Sequence, residues 1–139
     1  MLRPFWLALG FLTRIPVPLK GEPQAGEQGQ SMLFYPLVGL VIGLGMMFLA
    51  WLLGSTSATV SAALLLLFWV LVTGALHLDG LADSVDAWLG SHGDRERALA
   101  IMKDPASGPA AVVVLVVVLL IKYAVIVELL EQSNFAVLV

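Results

Sequence analysis

Three apolar runs of bilayer length dominate the sequence and restrict the folds open to it. Residues 33–53 form a charge-free run of 21, and residues 58–76 a second of 19. Each matches the roughly 20 helical residues needed to cross about 30 Å of hydrocarbon. Residues 109–127 form a third run of 19, with Lys122 as its one charge, close enough to the end of the run for its long stem to snorkel. The valine-rich stretch 112–118 has the composition of a strand. A lone strand in lipid leaves its backbone groups unsatisfied, so the expectation is a helix.

Composition agrees. The chain has 60% apolar and 12% charged residues, with a mean hydropathy of +0.97, well outside the norm for water-soluble domains. The expected fold class is therefore all-α: a polytopic membrane helical bundle forming a single domain over residues 1–139. It has about three transmembrane helices, an N-terminal interfacial or re-entrant helix and a cytoplasmic helix carrying an acidic motif. The N-terminal helix is read from residues 5–12, apolar but too short to cross, lying between Arg3 and Arg14 and ended by the IPVP segment. No small-residue cleavage site follows it, so it is read as retained rather than as a signal peptide. Residues 20–31 are polar with scattered glycine and proline, which predicts a flexible loop. Residues 135–139 are apolar and read as the start of another span.

Charge sets an orientation and excludes several functions. Arg3, Arg14 and Lys20 precede the first span, and Arg95, Arg97 and Lys103 follow the second, whereas the connector 54–57 has no base. Both basic segments are therefore expected in the cytoplasm. The net charge is −3 and no basic tract interleaved with aromatics occurs, which argues against nucleic acid as a partner. Absence of cysteine removes disulfides, thiolate metal sites and a cysteine nucleophile.

The candidate chemistry lies in the loop 77–108, which opens with HLDGLADSVDAW. Asp79, Asp83 and Asp86 stand at i, i+4 and i+7, roughly 0, 40 and −20 degrees around a helix, so the three carboxylates share a face. Each aspartate inserted at a bilayer centre costs about 2.5–3.5 kcal/mol, so that face must meet water, protein or a cation. Along the helix axis Asp79 and Asp86 are about 10 Å apart, too far for one ion to take all three easily. Carboxylates at one-turn intervals without thiolates suit hard cations, magnesium first and manganese second, and disfavour zinc.

Around this cluster each candidate has a plain structural reading beside its chemical one. His77 is a proton carrier or an interfacial structural residue. Gly80 leaves room for a ligand beside Asp79 or breaks a helix. Arg95, Arg97 and Lys103 clamp a phosphate ester or only set topology. Asp104 adds a fourth carboxylate, while Ser107 as N-cap and Pro109 in the first turn start the third span. Gly39 and Gly43 form a small-xxx-small face suited to close helix packing.

Four blocks, FLTRIPVP at 11–18, FYPLVGLVIG at 34–43, HLDGLADSVDAWLG at 77–90 and IMKDPASGP at 101–109, together resemble the cobalamin synthase family, the adenosylcobinamide-GDP ribazoletransferases. The resemblance implies a magnesium-dependent enzyme of the bacterial inner membrane. Such an enzyme joins adenosylcobinamide-GDP to α-ribazole or its 5′-phosphate, with release of GMP. It also implies that Asp79, Asp83 and Asp86 hold magnesium, with Asp104 as a fourth ligand, and that one aspartate or a bound water takes the hydroxyl proton. Arg95, Arg97 or Lys103 would steady phosphate, with His77 and Gly80 beside the substrate. Family members run on for roughly as much again, so the chain reads as an N-terminal portion or truncated copy, completed by a missing C-terminal half or by a homo-oligomeric partner.

Two other functional classes remain open on the residues. A membrane cation or proton transport subunit also carries intramembrane carboxylates, although here the acids cluster at one membrane face. A CDP-alcohol phosphotransferase would need an arginine after the first DG, and DGLADS has none. An inactive fragment is the third reading.

Overall fold

The computed structural model describes residues 2–19, 21, 24, 26–104 and 106–135, with side chains as far as residue 132. All regular elements among them are helical. Seven α-helices run in order: α1 (Arg3–Leu12), α2 (Glu27–Ser31), α3 (Tyr35–Leu52), α4 (Ala58–Thr73), α5 (Leu76–Ser91), α6 (Arg95–Ile101) and α7 (Pro109–Phe135), with a 3₁₀ turn at Met32–Phe34 joining α2 to α3. The chain divides into two compact units, Met1–Gly74 and Ala75–Val139.

In the first unit, Pro4 stands in the first turn of α1 and Pro36 in that of α3, where a missing N–H costs nothing. The α1 helix stops at Thr13, which is extended and returns its hydroxyl to the Leu9 carbonyl at 2.7 Å. A small core of Ala8, Leu9 and Val38 joins α1 to α3. Aromatic contacts frame it: Phe5 meets Phe34 edge-on, and Phe11 stacks on Tyr35 with centroids 6.2 Å apart.

The helix at the first expected span begins earlier than the apolar run. Helical structure is continuous over Glu27–Leu52, so the C-terminal part of the segment read as a loop is helical. Two contacts explain this extension. The Glu27 carboxylate accepts the Gln24 backbone N–H at 2.8 Å and pairs with Arg3 at 3.1 Å, and Gly26 takes the left-handed conformation at the helix start. Lys20 and residues 136–139, which figured in the expected topology and in a further span, lie outside the described residues.

At the second expected span, α4 starts at the Ser57 N-cap, whose hydroxyl accepts the Val60 N–H. It ends at Thr73, three residues short of the apolar run, because Gly74 and Ala75 are both left-handed (φ 60° and 58°). Sixteen residues reach only about 24 Å at 1.5 Å each. Two stretches, Glu27–Leu52 and Pro109–Gln132, are long and apolar enough to cross alone, and α4 makes a third crossing only together with α5.

Gly39 and Gly43 face open space, with nothing within 4 Å of where a Cβ would lie, so among the described residues no helix uses that small face. Close approach occurs instead at Gly45, where Phe68 of α4 comes within 3.1 Å of that position.

In the second unit, α7 is a continuous helix over 27 residues, valine run included. Its length moves Lys122 from near an end to the centre, with thirteen residues on either side. Both α5 and α6 pack in this unit, and α5 also packs along α7.

Candidate functional site

The acidic segment folds as the single helix α5, so the i, i+4, i+7 spacing does set Asp79, Asp83 and Asp86 on one face. Leu78, Ala82 and Ala87, which flank that face on either side, are buried, whereas Ser84 and Trp88 opposite it are exposed. Asp79 is exposed, whereas Asp83 and Asp86 are half-buried.

The three carboxylates differ in what they touch. Asp86 Oδ2 accepts the backbone N–H of Gly108 at 2.6 Å, a short, charge-assisted bond across 22 residues of sequence. Asp79 and Asp83 have no hydrogen-bond or ion-pair partner among the described residues. No three His, Asp or Glu side chains among those residues are gathered closely enough to hold a metal ion, and Asp104 does not join the face. Its Oδ1 instead accepts the Ala106 N–H at 3.0 Å, folding the turn that leads to α7.

Gly80 has open space around it, as a ligand beside Asp79 would need, and it lies inside α5 without breaking it. His77 Nε2 lies 3.4 Å from Lys122 Nζ on α7. Since Asp86 meets the start of α7 and His77 its middle, α5 runs antiparallel along the first half of that helix.

The basic residues sit on the return loop. Arg95 and Arg97 lie in the first turn of α6 and Lys103 just beyond it, all exposed. The α6 helix is started by Asp94, whose Oδ1 accepts the N–H groups of Glu96 at 2.9 Å and Arg97 at 3.4 Å. It packs onto α5 where Gly90 makes room: a Cβ there would lie 2.7 Å from Ile101 Cδ1.

Three of these features escape sequence reasoning. The Asp94 cap had a signal, an aspartate directly before a charged helical stretch. The Asp86–Gly108 bond had a faint one, the glycine before Pro109. The His77–Lys122 contact, across 45 residues, had none. Ser107 is not the cap expected of it, because helical bonding of α7 begins one residue later, with the Gly108 carbonyl accepting the Val112 N–H.

The first unit holds a separate cavity of about 480 Å³ between Leu7, Phe11, Val17, Met32 and Tyr35, with Gln28 and Ser31 at its wall. Its lining among the described residues offers no carboxylate, imidazole or base.

Similarity to known proteins is extensive. The profile of the cobalamin-5-phosphate synthase family, CobS, matches residues 4–139. The adenosylcobinamide-GDP ribazoletransferase of Pseudomonas fluorescens strain Pf-5 is 59% identical over 136 residues, 97% of this chain and 56% of that protein. That of Pseudomonas entomophila strain L48 is 59% identical over 131 residues, covering 94% and 54%. That of Pseudomonas putida strain GB-1 is 60% identical over 130 residues, again 94% and 54%. No solved structure matches. The chain thus spans about half the length of the curated relatives it matches. With all four sequence blocks lying within a match that covers residues 4–139, the chain belongs to the cobalamin-5-phosphate synthase family.

Proposed function

We propose that this chain carries the acidic half-site of an adenosylcobinamide-GDP ribazoletransferase, a phosphotransferase of the bacterial inner membrane. The observation that carries the reading is the face of α5 on which Asp79 and Asp83 stand one turn apart, without protein partners among the described residues. The named relatives are transferases, so cation transport is not favoured.

The donor chemistry fits magnesium. All the ligands on offer are carboxylate oxygens, and magnesium keeps several waters while taking one or two carboxylates plus substrate phosphates. A site needing only Asp79 and Asp83 from the protein is therefore reasonable even though no three ligands are gathered. Bound there, magnesium would offset the charge of a diphosphate.

In the proposed reaction a ribose hydroxyl of α-ribazole, or of its 5′-phosphate, forms a new P–O bond to the cobinamide-side phosphorus of adenosylcobinamide-GDP. The P–O bond to GMP breaks and GMP departs with the bonding pair. The protein's work is mainly positioning and electrostatics. A carboxylate of the α5 face, or a water held by it, accepts the hydroxyl proton. Arg95, Arg97 and Lys103 border the same unit on long, flexible side chains suited to phosphate oxygens, and Gly80 leaves the diphosphate an approach beside Asp79. Both basic segments and α5 are assigned to the cytoplasmic side, following the base-free connector between the first two spans.

The test is magnesium-dependent GMP release from adenosylcobinamide-GDP and α-ribazole by the purified chain in lipid nanodiscs, with Asp83→Asn beside it. Release lost in that variant supports the reading. If neither this chain nor a full-length relative carrying the same α5 releases GMP, the proposed function is wrong.

A further inference from the structure

We propose that Asp86 is a positioning residue that clamps the start of α7 to the acidic helix, leaving Asp79 and Asp83 as the carboxylates available to a cation. The division of labour rests on the metal reading of α5, whereas the clamp stands on geometry alone.

Four observations converge on it. The bond from the Gly108 N–H to Asp86 Oδ2 is 2.6 Å long, at the tight end for a charged acceptor. Gly108 is the residue whose carbonyl opens the hydrogen bonding of α7, and Pro109 after it has no N–H to offer. The first donor that the start of this long helix leaves unpaired is therefore the one Asp86 satisfies, at the helix end where negative charge is favoured.

Glycine at position 108 also leaves the room in which the carboxylate seats. A Cβ there would lie 2.7 Å from Asp86 Oδ1 and 3.1 Å from Cγ. Both partners are thus fitted to each other, whereas Asp79 and Asp83 accept nothing among the described residues. Asp83 lies about 4.5 Å along the axis from Asp86, and Asp79 about 10 Å. A clamp at Asp86 therefore holds the pair at a fixed distance from the start of α7. The second contact between these helices, His77 with Lys122 at 3.4 Å, lies nine residues back along α5 and sets the direction in which it runs.

A neutral isostere separates a clamp from a ligand. Asparagine keeps an oxygen that accepts the Gly108 N–H but is a poor ligand for a hard cation. The experiment uses the whole chain in isotropic bicelles, reading the Gly108 amide by NMR and Mn²⁺ binding by electron paramagnetic resonance. We expect a protected, downfield Gly108 amide in wild type, protection retained in Asp86→Asn, and exchange faster by roughly 10- to 100-fold in Asp86→Ala. The Mn²⁺ dissociation constant should change little in Asp86→Asn and rise about tenfold or more in Asp83→Asn.

Should Asp86→Ala fail to fold, wild type and Asp86→Asn still decide the clamp, because the Gly108 amide proton moves upfield when its acceptor loses its charge. A Gly108 amide that exchanges freely in wild type, or whose shift ignores Asp86→Asn, overturns the clamp. Asp86→Asn weakening Mn²⁺ as much as Asp83→Asn overturns the division of labour. If wild type binds no Mn²⁺, the cation reading of α5 falls, yet an Asp86-dependent Gly108 amide still supports the clamp.

Discussion

Gly80 and Gly74 make opposite demands on a side chain, and the contrast gives two direct tests. Gly80 lies within α5 with nothing within 4 Å of where a Cβ would stand, so Gly80→Ala should raise thermal stability in nanodiscs by up to about 1 kcal/mol through helix propensity alone. If the open space beside Asp79 serves substrate approach, the same variant lowers GMP release while stabilising the fold; unchanged release would remove Gly80 from the site. Gly74 has φ 60°, and a Cβ there would run into the Arg14 guanidinium arm. Gly74→Ala should therefore destabilise by about 1–3 kcal/mol, seen as a lower unfolding temperature; a neutral result would mean that α4 does not end at this left-handed cap. The face shared by the three aspartates was legible because a helix has a fixed period. What each aspartate touches was not, because the partner of Asp86 lies 22 residues away and no local pattern encodes such a pairing.

Among the elements, α6 is the short helix most dependent on one side chain. The Asp94 carboxylate accepts two backbone N–H groups, and no buried residue anchors the seven that follow. Asp94→Ala should cost about 1 kcal/mol, with faster hydrogen exchange at Arg97 and Ala98 while α7 keeps its protection. Exchange unchanged at those two amides would show that Ile101 packing at Gly90 holds α6 without the cap. Helices α3, α4 and α7 overlap the three apolar runs, but their ends differ from those of the runs. Apolar runs report where lipid is tolerated, whereas ends are set by polar and backbone events: Glu27 bonding Gln24 and Arg3 extends the first, left-handed Gly74 and Ala75 cut the second, and Glu128 and Gln132, joined at 2.9 Å, continue the third beyond its apolar run. The small face of Gly39 and Gly43 was read correctly as a pattern, but its use depends on a neighbour that the described residues do not supply.

For the whole molecule, solvent explains what internal packing does not. Among the described residues the largest side chain fully buried is Val38, whereas α3 leaves Leu40, Leu44, Met47, Phe48 and Trp51 exposed, and α7 leaves Val113, Val116, Leu120, Ile121 and Leu129 so. Water would not tolerate that surface at this scale, and lipid does. Charge bias predicts a topology: the connector 54–57, which has no base, is expected outside and the basic loop with His92 in the cytoplasm. The absence of native cysteine makes this directly measurable with single replacements. In intact cells Ser55→Cys should react with a membrane-impermeant maleimide, whereas His92→Cys should react only after the membrane is opened. Reaction of both from outside would put the acidic helix on the far side from cytoplasmic nucleotide substrates, and the ribazoletransferase reading would then lose its access to adenosylcobinamide-GDP. Protection of both would instead mean that α4, only 16 residues long, dips into the bilayer and returns without crossing.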